Sequence, residues 1–149
     1  MDEQFTQERI VEIFSKQEEI WREAVTDMNK KLTKIADTIE LLNYVYAKHQ
    51  EAIELYHKML RKLKEQERKI TKIRSDRTKF YTQQSQYAFK ATEIRSIVDG
   101  ELADDIFLCE VYEGFCSYMK ETMANIASIK YGIKDRIALE QLLKDEMAY

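Results

Sequence analysis

From Met1 to Asp99 the chain contains neither glycine nor proline, and only Gly100, Gly114 and Gly132 fall in its 149 residues. Proline breaks a helix and glycine weakens one, so their scarcity leaves few places for a sharp turn. An all-α fold of few long helices is expected, in one domain's worth of chain. Apolar residues make up 44% and charged residues 34%, a balance that favours long exposed helices over a thick core.

The apolar pattern points the same way. Trp21, Val25, Met28, Leu32, Ile35, Ile39, Leu42, Tyr46, His49, Ile53, Tyr56, Leu60, Leu63, Glu67 and Ile70 recur by fours and threes. That is heptad spacing with two polar interruptions, and it predicts one helix from about 18 to about 74. Unbroken, such a helix is on the order of 80 Å long, and its narrow stripe needs other helices alongside. His49 is read as a satisfied polar residue that sets register, as a buried Asn does, rather than as a ligand or a switch. Residues 75–87 show no clear period and are read as a break or loop. A short helix is expected at about 86–97, and Asp99-Gly100 is the clearest turn. A second stripe, Leu108, Tyr112, Phe115, Met119, Thr122, Ile126, Ile129, Ile133, Arg136 and Leu143, predicts a last helix from about 102 to about 144. Asp104 and Asp105 suit its positive dipole end. Such stripes serve as core or as oligomer seam, and Phe115, Met119, Ile126, Ile129 and Ile133 are the candidate oligomer interface.

Charge is strongly polarised. Lys58–Lys79 holds ten Lys or Arg and three acids, a surplus of seven, within a chain of net −3, so the remainder sums to −10. Residues 99–149 hold eleven acids and five bases. Clustered cations make a local positive potential whatever the total charge, which suits a polyanion or an acidic partner. Aromatics follow directly, at Phe80, Tyr81 and Tyr87. Cations that track phosphates beside rings that stack on bases are what single-stranded nucleic acid requires. The candidate contacts are Lys62, Lys64, Arg68, Lys69, Lys72, Arg74, Arg77, Lys79 and Tyr81. The alternative for each ring is packing against a helix.

Other chemistry has no support in the residues. There is no Gly-rich phosphate loop, CxxC, HExxH or GxSxG. Adjacent acids such as Glu18-Glu19 point about 100° apart on a helix and do not converge. Cys109 and Cys116, two turns apart on one helix face, are about 10 Å distant, too far for a disulfide. Cys116 reads as a small buried hydrophobe. No catalysis, cofactor or metal is expected. No apolar run reaches membrane-spanning length and no signal peptide is visible, so a soluble, cytoplasmic protein is expected, in the host cytoplasm if phage-encoded.

The order of several short pieces resembles the UvsY-type recombination mediators of tailed phages, over roughly 46–140. The pieces are Tyr46-Ala47-Lys48-His49, Met59-Leu60 leading into the basic run, and Arg77 before Phe80-Tyr81. Thr92-Glu93-Ile94-Arg95 with Val98-Asp99-Gly100, Phe115-Cys116-Ser117, Ile126-Ala127-Ser128 and Tyr131-Gly132-Ile133-Lys134 follow. The chain departs from the family pattern at Ala91, where Lys is usual, at Ile129, where Arg is usual, and in lacking a Gly after the paired aromatics. The resemblance implies a helical protein that forms a ring-like homo-oligomer and binds single-stranded DNA. It implies partners as well: a RecA-like recombinase, and a single-strand-binding protein that the recombinase displaces. Arg77 is the firmest carry-over to DNA binding, with Arg74, Lys72, Lys69 and Arg68 in the same run. A structural coiled-coil subunit with a basic protein-binding face is the alternative.

Overall fold

The computed structural model describes residues 2–32, 38–84 and 86–148, with side chains from Gln7 onward. Every regular element among them is helical: α1 (Asp2–Leu32), α2 (Thr38–Lys79), a π-helical turn (Phe80–Gln84), α3 (Ala91–Glu101) and α4 (Ala103–Met147). No described helix is long and apolar enough to cross a membrane. The chain forms two compact units, and α1, α2 and α4 contribute to both.

One unit joins Ile13–His57 to the chain from Ser117 onward. Lys48 Nζ lies 6.0 Å from the Trp21 ring centroid and Lys31 Nζ 5.1 Å from that of Tyr44, so α1 and α2 run antiparallel, side by side. On a single helix Trp21 and Lys48 would be about 40 Å apart. The helix expected over 18–74 is therefore two helices. Ile35, a member of the expected stripe, lies outside the described residues. Along α4, the Tyr118 hydroxyl donates to the Glu18 carbonyl at 2.7 Å, and Arg136 donates to the Leu32 carbonyl. α4 thus runs parallel to α1 and antiparallel to α2. Trp21 and Met28 of α1, Leu41, Val45 and Ala52 of α2, and Met119, Ile126, Ile129 and Ile133 of α4 are buried here.

The buried face of α2 differs from the expected stripe. Leu41, Val45, Ala52 and Met59 are buried, while the expected members Ile39 and Tyr46 are exposed; farther along, the expected members Leu63 and Ile70 are buried as the stripe places them. The expected phase was carried through from α1, and a second helix packed against the first has no reason to keep it.

The other unit joins the residues up to Glu12 to Lys58–Cys116. Ile70, Ile94, Val98 and Leu102 form its apolar centre, with Ile73, Tyr81, Phe89, Ile106 and Cys109 packed against them. Gln66 is buried and donates to the Asp105 carbonyl at 3.0 Å and to Asp105 Oδ1 at 3.1 Å. A buried amide left unpaired would be costly, so this bond pins α2 against the start of α4. Two local expectations change. The loop expected at 75–87 is helical through Gln84. The turn expected at Asp99-Gly100 lies inside α3, and the bend falls at Leu102. There the amide of Leu102 bonds the Val98 carbonyl at 3.0 Å and the amide of Ile106 bonds the Leu102 carbonyl at 2.8 Å. The α3 start is held by the Glu93 carboxylate, which accepts from the Lys90 amide at 3.0 Å.

The five candidate oligomer-interface residues, Phe115, Met119, Ile126, Ile129 and Ile133, are all buried within the single chain. Their apolar surface is already covered by the chain's own helices. Ile126→Ala is expected to cost about 2–5 kcal/mol of stability, the usual range for emptying a filled core site. Exposed Ser128→Ala on the same helix should stay within about 0.5 kcal/mol. Urea denaturation followed by circular dichroism measures both.

Candidate nucleic-acid interface

Successive residues of a helix turn about 100°, and this sorts the basic run on α2. Lys58, Arg61, Arg68, Lys72 and Lys79 fall within an arc of about 80°, on the side away from buried Met59, Leu63, Gln66 and Ile70. All five are exposed, and Glu65 and Asp76 are the two acids in the same row. The row extends about 30 Å along the helix. Lys62 lies at its flank, also exposed. None of these six cations has an ion-pair partner among the described residues.

The remaining four cations are paired. Lys64 Nζ lies 3.2 Å from Glu67, Lys69 Nζ 3.1 Å from Asp105, Arg74 Nη2 3.1 Å from Asp99, and Arg77 Nε 2.7 Å from Glu101. The Lys69, Arg74 and Arg77 side chains nevertheless remain 57%, 47% and 38% exposed. They are clamped but not hidden from solvent, and exposed pairs of this kind contribute little to stability.

Arg77 is the most engaged. Its Nη2 donates to Glu101 Oε1 at 2.9 Å and to the Tyr81 hydroxyl at 3.1 Å, completing a two-pronged grip on the carboxylate. The Tyr81 hydroxyl in turn donates to Glu101. The guanidinium carbon sits 4.7 Å from the Phe80 ring centroid and 5.1 Å from that of Tyr81. These contacts need residues 77 and 81 on one helical face, which is why the segment is helical rather than a loop. Tyr81 also meets Phe89 edge-on at 5.9 Å and packs against the apolar centre. Arg77 and Tyr81, both candidates for DNA contact, thus clasp α2 to α3. The more exposed rings here are Phe80 and Tyr87.

Four of the nine candidate contacts, Lys62, Arg68, Lys72 and Lys79, stand unpaired and exposed. Lys64, Lys69, Arg74, Arg77 and Tyr81 carry polar contacts within the chain. Lys58 and Arg61 were not among the candidates, although their spacing of ten and seven residues to Arg68 places them in the same row. The acids at 99–105, which pair with Lys69, Arg74 and Arg77, were legible as an acidic arm but not as partners.

Glu67, Cys109 and Glu113 bring one ligand atom each within 4.8 Å of one another. Burial and the nearby carboxylates push the Cys109 thiol up, which keeps it protonated, and Glu67 is taken by Lys64. This arrangement disfavours the thiolate that a metal would need.

Arg77 and Tyr81 hold the Glu101 carboxyl down to about 2, from an ordinary 4.5. Because the folded value is the lower one, the stabilisation is present above the unfolded value and lost as pH falls toward 2. Glu101→Gln is expected to lower stability near neutral pH, with the difference from the parent protein shrinking between 4.5 and about 2. Urea denaturation at a series of pH values tests this. A difference that stays constant across that window would mean that charge on Glu101 does not clasp α2 to α3.

Comparison with protein-family models, with curated proteins and with solved structures finds no match to this chain, so the site is read from its own geometry.

Proposed function

We propose that this protein is a recombination mediator of the UvsY type. It binds single-stranded DNA and helps a RecA-like recombinase load onto DNA covered by single-strand-binding protein, in recombination, repair and replication. The observation that carries the reading is the row Lys58, Arg61, Arg68, Lys72 and Lys79, exposed and without carboxylate partners on the outer side of α2. Phosphates replacing water around such a row release counterions, so binding should weaken steeply with salt. Phe80 and Tyr87 supply exposed rings for stacking beside it.

In this reading the working particle is a homo-oligomer, a ring of identical subunits. Repetition of one basic row around a ring raises the effective concentration of each site for the same strand. Assembly would use apolar side chains that the single chain leaves exposed, such as Leu139, Leu142, Leu143 and Met147 at the end of α4. The buried row from Phe115 to Ile133 would not take part.

A second reading, a structural interaction subunit with a basic protein-binding face, is favoured by one observation. Three cations of the run already sit on carboxylates, at Asp105, Asp99 and Glu101. A face that accepts carboxylates from its own chain can accept them from another.

Arg68→Ala combined with Lys72→Ala is expected to weaken binding to a fluorescent oligo-dT. It should flatten the slope of log affinity against log salt by about 1.4, two contacts at about 0.7 each. The melting temperature should not change, because neither side chain has a partner to lose. Absence of any oligo-dT binding by the parent protein at low salt would remove the mediator reading and leave the second.

A further inference from the structure

A second basic cluster lies wholly within the unit that contains Ile13–His57 and the chain from Ser117. Antiparallel packing of α2 on α4 brings Tyr46 and His49 against Lys130, Tyr131 and Lys134. Lys130 Nζ donates to His49 Nδ1 at 3.1 Å, which places the imidazole proton on Nε2. The same ammonium lies 4.7 Å from the Tyr46 ring centroid, and Lys134 Nζ lies 5.6 Å from it. Lys134 Nζ is also 5.9 Å from the centroid of the Tyr131 ring, which is 64% exposed.

What the cluster lacks is an anion. Lys130 and Lys134 are four apart on one helix, a spacing at which like charges repel. Neither has a carboxylate within ion-pair distance among the described residues. Ring faces compensate part of that repulsion by cation–π attraction. His49 is pushed toward its neutral form, first by burial and then by Lys130. The Tyr46 phenol is drawn down by its hydrogen bond from Lys134. Among the described residues no carboxylate pairs with either ammonium group, so the cluster's positive charge is left unbalanced.

We propose that Lys130 and Lys134, with Tyr46, His49 and Tyr131, form a binding site for a phosphoryl group flanked by a base, the unit that a single strand presents. The two ammonium groups hold the phosphate, the Tyr131 ring takes the base, and Tyr46 and His49 keep Lys130 in place. The polynucleotide half of this inference rests on the proposed mediator reading; the phosphoryl half does not.

Two arms separate these. In the first, inorganic phosphate is titrated at fixed pH against sodium chloride of equal ionic strength, and the imidazole protons of His49 and His57 are followed by NMR. The site predicts a phosphate-specific shift at His49 that is lost in Lys130→Gln with Lys134→Gln, while exposed His57, beside Lys58, reports the outer row separately. In the second, oligo-dT binding is measured for the full chain, for Lys130→Gln with Lys134→Gln, and for Tyr131→Ala. The lysine pair should flatten the salt slope by about 1.4. Tyr131→Ala should weaken the oligonucleotide about fivefold or more while leaving the phosphate shift at His49 intact. If the lysine pair fails to fold, Lys134→Gln alone, on the exposed side chain, should flatten the slope by about 0.7.

Oligo-dT binding by the parent protein that neither lysine substitution alters would overturn the polynucleotide site while leaving the mediator reading standing. If the parent protein binds no oligo-dT, the mediator reading falls and the phosphate arm decides the site alone. Absence of a phosphate-specific shift at His49 overturns the phosphoryl site in either case.

Discussion

Asp99, Glu101 and Asp105 take Arg74, Arg77 and Lys69 out of the basic run, and this exchange governs what the rest of the run can do. The carboxylates come from α3 and the first turn of α4, which the bend at Leu102 keeps close in sequence. Each pair is exposed and individually weak in water. Together with buried Gln66 on Asp105 and Tyr81 on Glu101, they fix which side of α2 faces its neighbours. A different side of the helix is then left to solvent, and it carries Lys58, Arg61, Arg68, Lys72 and Lys79. Neutralisation here acts less as a source of stability than as a selection among ten cations.

The same logic explains why the aromatic pair after the run does not behave as a pair. Tyr81 turns inward, where its ring meets Phe89 and its hydroxyl reaches Glu101, while Phe80 stays outside over the Arg77 guanidinium. The π-helical turn at Phe80–Gln84 continues backbone hydrogen bonding past the end of α2, so both rings are presented from a helix rather than from a loop. An exposed ring beside unpaired cations remains, but it is Phe80, not Tyr81.

Much of this was legible in the residues, and the parts that were not have physical causes. The scarcity of glycine and proline read correctly as an all-helical chain, and the last helix begins and ends close to where its stripe places it. The break between α1 and α2 left no mark, because residues 33–37, Thr-Lys-Ile-Ala-Asp, contain no breaker. Past that break the apolar residues come in adjacent pairs: Leu41-Leu42, Val45-Tyr46, Ala52-Ile53 and Met59-Leu60. Spacing alone cannot choose within a pair, and a phase carried over from α1 chose the exposed member at Tyr46. Asp99-Gly100 read as a turn because both residues favour turns, yet the hydrogen-bond ladder runs through Gly100 and onward across Leu102. The cluster of positive charge was visible at once. Which of its members were paired was not, since three of the four pairs depend on acids more than twenty residues away that only the folded chain brings near.

Lysine-resolved NMR puts the central claim to its most direct test. With the lysine amines carrying ¹³C-methyl labels, each ammonium group on α2 reports separately as oligo-dT is added at low salt. The account predicts large shifts at Lys58, Lys72 and Lys79 and small ones at Lys69, which stays on Asp105. Shifts confined to Lys64 and Lys69, with the outer row silent, would contradict it.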